Sequence, residues 1–414
     1  MNRNKLLRYI PVVLTLAIWT THQSMRTNNI LIGAFGTYMF FMGWPFAKFQ
    51  FRRDFMLLLL PALFIVFMIG VFFGEDQREG WHQMEKRIGY IAFPLIFYLG
   101  RNVITREDIT RMLYAFLVAC LALSLICYGN AVINIVENHS FIAIGKNERP
   151  YYYLAYMMLT EPVKLDPVYL SIYINFCILI VLFRPTGRSW INVILIGYLC
   201  VFNLSLASKA GILINAMVFL LFTYSLMRRK IVALGVCILL IAVFATAIFK
   251  SDFLRERFIV STQFEYDRPW AGDWNSTSQR IAIWACSLET IGNNFPFGYG
   301  TGNGELELYK TYHKKNYIRG YEDGYNSHNE FLFTWLDLGI FGAIVLVAVM
   351  LIPLYFTVKI NEPLYTYAIL CFLLYFCVEV VLTRRAGINF LSFIYGLMAV
   401  EYFICTSKAQ RLNA

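Results

Sequence analysis

The stretch Tyr325–Gly342, YNSHNEFLFTWLDLGIFG, joins two environments that do not mix. Its first residues are polar. Beyond them opens a long apolar run that still carries Glu330 and Asp337. An apolar run of about 17 or more residues can cross the ~30 Å hydrocarbon layer as a helix. The stretch therefore reads as the point where a polar segment enters a membrane span, with a histidine at the border.

Comparable runs recur through the chain of 414 residues, which is 58% hydrophobic, 17% aromatic and only 15% charged. A soluble domain would carry about a quarter charged residues. The fold class expected is all-α: a polytopic membrane protein of about twelve helices at 6–24, 30–47, 55–74, 88–100, 111–136, 168–184, 190–206, 209–227, 231–249, 329–357, 364–383 and 386–405. The first run follows MNRNKLLRY without a small-residue cleavage site, so no cleaved signal peptide is expected. Of nine cysteines only Cys286 falls in a large polar segment. The others read as small buried hydrophobes, and no metal-type Cys/His spacing is present.

Lys and Arg in short loops set the orientation. With the N-terminus inside, Lys5, Arg8, Arg52, Arg53, Arg101, Arg106, Arg111, Arg184, Arg188, Arg228 and Arg229 all fall in short inner segments. Both termini are then cytoplasmic. The expected organisation is nine spans over 1–249, a large periplasmic loop containing short helices over 250–328, and three spans with a cytoplasmic tail over 329–414. The net charge of +10 reads as the inner face meeting anionic membrane lipids, and nothing points to nucleic acid. Without an internal repeat, a transporter of repeated halves is less favoured.

Cations at the outer ends of spans run against that bias and need a reason. In SLASKAGILI, Ser208 can cap a span whose first turn holds Lys209. A cation there opposes the helix dipole unless an anion binds the free N–H groups; otherwise Lys209 snorkels to headgroups. In NSTSQRIAIWACSLETIGNN, Ile281, Trp284, Leu288 and Ile291 recur at helical spacing, with Ser276 or Ser278 as cap and Arg280 in the first turn. Arg280 could instead pair with an acid such as Asp273. Ser327 and Glu330 have the form of a capping box, which would make His328 the first residue of the tenth span. In VEVVLTRRAGINF, Arg384 and Arg385 follow Glu379, which is expected to pair with one of them. Together these groups suggest a site for a strongly anionic group such as a lipid diphosphate. Arginine grips phosphate with two parallel hydrogen bonds, and a histidine can act as a base near neutral pH.

The pattern from Arg280 and Trp284, through FPFGYGTGNG (Phe295–Gly304), to SHNEFLFTWLDLGIFG resembles the O-antigen ligase/polymerase family of bacterial envelope glycosyltransferases. Close motif similarity covers residues 200–345. Before it, only the span layout and DPVYLSIY (Asp166–Tyr173) are similar. The resemblance implies an undecaprenyl-diphosphate-linked glycan donor in the outer leaflet of the bacterial inner membrane. It implies a lipid A-core or other glycan acceptor whose hydroxyl attacks the anomeric carbon. It also implies inversion, with no metal, cofactor or nucleotide sugar. Carried over residue by residue, Arg280 holds the diphosphate, and His328 binds it or takes the acceptor proton. At the Ser-Arg position of the family this chain has Ser208-Lys209, which keeps the charge but loses the bidentate fork. The hypothesis is that Lys209, Arg280 and His328 converge on one cavity, with Arg384 and Arg385 contributing. Within the family a polymerase or a protein O-oligosaccharyltransferase remains open. From another class, a transporter or flippase for lipid-linked sugars would need charged residues at mid-membrane, where only Glu379 and Glu401 stand out.

Overall fold

The computed structural model describes residues 9–21, 24–44, 49–144, 150–226 and 276–412, with isolated helical positions between 235 and 255. Most of the expected ninth span and of the first part of the large loop, and Asp273, lie outside the described residues, as do Lys5, Arg8, Arg228 and Arg229. Among the described residues the regular structure is helical apart from one hairpin. The helices are α1 (Ile10–Thr20), α2 (Met25–Gly43), α3 (Phe51–Asp54), α4 (Met56–Val71), α5 (Gln77–Lys86), α6 (Gly89–Gly100) and α7 (Arg106–Asn138). After the hairpin come α8 (Tyr156–Thr160), α9 (Pro167–Phe183), α10 (Ser189–Leu206) and α11 (Lys209–Leu226). A polar set, α12 (Ser276–Asn293), α13 (Gly304–Lys314) and α14 (Ile318–Glu322), precedes α15 (Glu330–Lys359), α16 (Pro363–Val378) and α17 (Arg385–Leu412). The hairpin pairs β1 (Ile142–Ile144) with β2 (Pro150–Tyr152) and was not expected from the sequence.

Four described helices are long and apolar enough to cross a membrane: α7, α10, α15 and α17. A fifth span arises if the bent pair Tyr156–Val163 and Pro167–Phe183, at 81°, counts as one. Helices α1, α4, α11 and α16 are apolar but shorter. Helix α17 occupies the middle of the bundle: every residue from Phe390 to Tyr402 is buried. A helix apolar all round belongs in such a place. Lipid tails are as apolar as leucine, so close packing rather than water exclusion holds such helices together. Trp19 shows this packing, meeting Phe116, Tyr173, Phe390 and Phe393 with ring centroids 5.2 to 5.7 Å away.

One set of polar side chains inside the bundle satisfies itself, which a hydrocarbon surround favours. Asn175 Nδ2 donates to Gly211 O and to Tyr375 Oη, while its Oδ1 accepts from Asn203 and Asn215, all at 2.8 to 2.9 Å. Ser171 Oγ donates to Asn203 Oδ1 at 2.6 Å. These bonds tie α9, α10, α11 and α16 together.

One end of the bundle is laced by ion pairs. Glu362 accepts from Arg106 and Arg184 at 3.1 and 2.8 Å, and Glu401 lies 2.8 Å from Arg106 Nε. Nearby, Arg101 and Asp54 form a fully buried pair at 2.8 Å. Three arginines that the sequence assigned to anionic lipid thus meet carboxylates instead. Asp54→Ala would leave Arg101 buried without its counter-charge, and we expect a loss of about 3–5 kcal/mol. Thermal unfolding of the detergent-solubilised protein measures this, and an unchanged midpoint would refute it.

Candidate functional site

At the opposite end of the bundle, three consecutive residues grip the turn that leaves α16. Asn329 caps α15: its Oδ1 accepts from Phe331 N and Leu332 N, both at 3.0 Å, and its Nδ2 donates to Cys377 O at 3.0 Å. Glu330 Oε2 accepts from Val381 N and Leu382 N at 2.7 Å each. His328 Nδ1 lies 2.9 Å from Glu379 Oε1. Tyr169, on α9, donates its hydroxyl to Val380 O at 3.0 Å. The turn is therefore held from two sides, and Glu379 at its head is fixed.

Two sequence expectations are corrected here. Ser327 is not the cap; its hydroxyl donates to Asn329 O, and Asn329 caps instead. His328 accordingly precedes the helix in a left-handed conformation (φ 42°), and its N–H is bound by Asn326 Oδ1. Glu330 makes no capping box. Its carboxylate bridges to a neighbouring chain segment, a job that spacing within one helix cannot reveal.

Glu379 is shared. Its Oε2 accepts from Arg280 NH2 at 3.4 Å while Oε1 meets His328. The expected pairing of Glu379 with Arg384 or Arg385 is thus replaced by one with the two residues singled out for catalysis. An ionised carboxylate only accepts hydrogen bonds, so His328 donates from Nδ1. That leaves Nε2 as the atom able to accept a proton or, when protonated, to meet an anion.

Arg280 comes from α12, with four described helical residues ahead of it rather than in the opening turn. The loop after α12 is bound to α15. Tyr299 N donates to Leu336 O and Gly300 N to Asp337 O, both at 2.8 Å, and Ile340 N donates to Pro296 O at 3.0 Å. These bonds fill a break in α15 at Gly339 (φ 68°), a conformation that glycine adopts at little cost. A Cβ on Gly298 would lie 2.4 Å from Asp337 O and Gly339 N, so only glycine permits this approach.

Asp337 closes the join. Its carboxylate accepts from Gly302 N at 3.2 Å and Gly304 N at 3.1 Å, which caps α13. Its partner is thus the glycine-rich loop. Arg87, fully buried over the Phe67 ring at 4.2 Å, places its charge near both Glu330 and Asp337. Sequence reading passed over Arg87, because a cation just ahead of an apolar run looks like an ordinary flank. On α13, burial pushes the Glu305 carboxyl up, and the neighbouring Tyr309 hydroxyl pulls the other way.

The remaining candidates divide. Lys209 opens α11, whose cap Ser208 accepts from Gly211 N at 3.2 Å, and α11 packs on α9 and α16 at this end of the bundle. Arg384 stands 3.7 Å from Asp166, on which the charges of Glu379 and His328 also act. Arg385 turns away to Glu85 at 2.6 Å. Among the described residues, one group of acids and thiol is tight enough to hold a metal ion: Glu362, Glu401 and Cys405. Arg106 and Arg184 already neutralise it, so its chemistry is that of an ion-pair network.

The fold and the site define a helical membrane protein with a fixed histidine, arginine and carboxylate at one end of its bundle. Residues 191–347 match the family model described as O-antigen ligase. This supports assignment of the chain to the O-antigen ligase/polymerase family. The match runs from α10 to the middle of α15 and so contains Lys209, Arg280 and His328. No curated protein matches the chain.

Proposed function

We propose that the chain is an O-antigen ligase-like glycosyltransferase. It moves a glycan from undecaprenyl diphosphate to a sugar hydroxyl of a lipid A-core acceptor. The observation that carries this reading is the bridging of Arg280 and His328 by Glu379. In the proposed step the acceptor oxygen attacks the anomeric carbon from the face opposite the diphosphate, so the centre inverts. The hydroxyl proton passes to His328 Nε2 as the bond to the lipid diphosphate breaks. Glu379 orients the imidazole and stabilises the imidazolium that forms. Arg280 and Lys209, with Arg384 at the rim, offset the charge growing on the leaving oxygen. Fixed cations in a water-poor site do this without reorganisation, and the step needs no metal or cofactor.

In the same reading the chain has about twelve spans and lies in the bacterial inner membrane with both termini cytoplasmic. Its polar segment, over 250–328, is periplasmic and faces the donor lipid. The self-satisfied Asn–Ser–Tyr network of α9, α10, α11 and α16 supports this over a flippase, whose path would keep such groups open. The test is purified protein with a synthetic lipid-diphosphate glycan, offered lipid A-core and, separately, a second lipid-linked glycan. Arg280→Ala is expected to lower transfer by about 10²–10³-fold, with Arg280→Lys between. Full transfer by Arg280→Ala would sink the site assignment. Extension of the second lipid-linked glycan in place of lipid A-core would make the protein a polymerase.

A further inference from the structure

A cleft of about 530 Å³ opens between α13 and the loop joining α4 to α5, and none of the cations described above lines it. It is of small-ligand size. Its charged lining is Glu75, Asp76, Glu307 and Lys310, with Asn303, Tyr309 and Tyr321 beside them. Lys310 is already paired with Glu307, so carboxylates outnumber the one ammonium and the cleft disfavours an anion. Tyr321 and Leu306 leave 50% and 42% of their surfaces exposed there, on a polar part of the molecule. Carboxylates that accept from hydroxyls, beside an exposed aromatic face, suit a sugar ring.

The cleft is a built feature. Asn303 accepts from Asp76 N at 2.8 Å and donates to Asp76 O at 3.3 Å, which fixes the α4–α5 loop on the start of α13. The start of α13 is the segment capped by Asp337. The same helix also grips the residues leading to His328. Tyr309, which lines the cleft, donates to Gly324 O at 3.1 Å, and Tyr312 donates to Tyr325 O at 3.1 Å. The Tyr325 and His328 rings are 6.1 Å apart. One rigid helix thus carries the cleft and braces the segment of the proposed base.

We propose that this cleft seats the acceptor glycan, through an uncharged or amine-bearing sugar, apart from the cationic site that serves the donor diphosphate. The proposal rests on the transfer reading above. The division follows from charge: the donor's diphosphate is unwelcome among the carboxylates of the cleft.

The test uses the full chain in nanodiscs and three oligosaccharides of equal length: a neutral glucan, its glucosamine counterpart and its uronate counterpart. Calorimetry is expected to show binding of the first two, with the uronate at least about tenfold weaker. Tyr321→Ala should weaken the neutral sugar about tenfold and raise the acceptor KM, with kcat and the donor KM held. Glu75→Gln, a milder change, should narrow the gap between glucan and uronate. Failure of the wild type to bind any of the three overturns the proposal, as does Tyr321→Ala with binding and acceptor KM unchanged. His328→Ala separates the two ideas. Retained sugar binding with lost transfer is the expected result. Retained transfer in that variant would remove His328 from the chemistry, and absence of transfer by the wild type to any acceptor would overturn the function reading; the binding result stands in either case.

Discussion

Alanine at His328 is expected to lower transfer by about 10²–10⁴-fold, the usual contribution of a general base. Glu379→Gln should cost less. It keeps an acceptor oxygen for Nδ1–H but removes the charge facing Arg280 and the imidazole. Loss of a charge-assisted hydrogen bond of about 1.5–3 kcal/mol corresponds to roughly ten- to a hundredfold in rate. The pH dependence of kcat separates the two roles left to Nε2. If Nε2 takes the acceptor proton, kcat rises with pH until the imidazole is neutral. If a protonated ring holds the diphosphate, kcat falls over the same range. A profile that is the same in wild type and His328→Ala would remove His328 from the chemistry.

Asp337→Ala carries the second large effect, on stability. It strips two backbone N–H groups of their acceptor and removes one of the two carboxylates facing buried Arg87. Breaking a buried charged contact of this kind costs about 3–5 kcal/mol. The variant should unfold at a lower temperature, and the amides of Gly302 and Gly304 should exchange with deuterium faster. Unchanged protection at those two amides would show that the carboxylate does not hold the loop.

The sequence made the class of the protein legible, together with the region of the candidate site. Apolar runs mark helices because a bilayer demands length and hydrophobicity, and both are local properties. Arg280 and His328 were legible as cations placed against the charge bias of the loops. The partners of the carboxylates were not. Glu330, Asp337 and Glu379 each find theirs 33 to 99 residues away. A capping box is the best local explanation for Glu330, and the fold chose a distant one. Arg87 was missed for the same reason: its role depends on two acids brought to it by α15. At the other end, Arg101, Arg106 and Arg184 were read as facing lipid because their charge is visible in sequence and the carboxylates they meet are not.

The break in α15 bears on how this protein can be engineered. Backbone groups at Leu336, Asp337 and Ile340 find partners in residues 296–300. Excising the polar segment, or exchanging it whole for a relative's, would strip an apolar helix of hydrogen bonds it cannot replace from lipid. Chimeras meant to alter acceptor choice should therefore keep residues 296–304 with their own α15. Grafts belong on α13 and α14, beyond that seam.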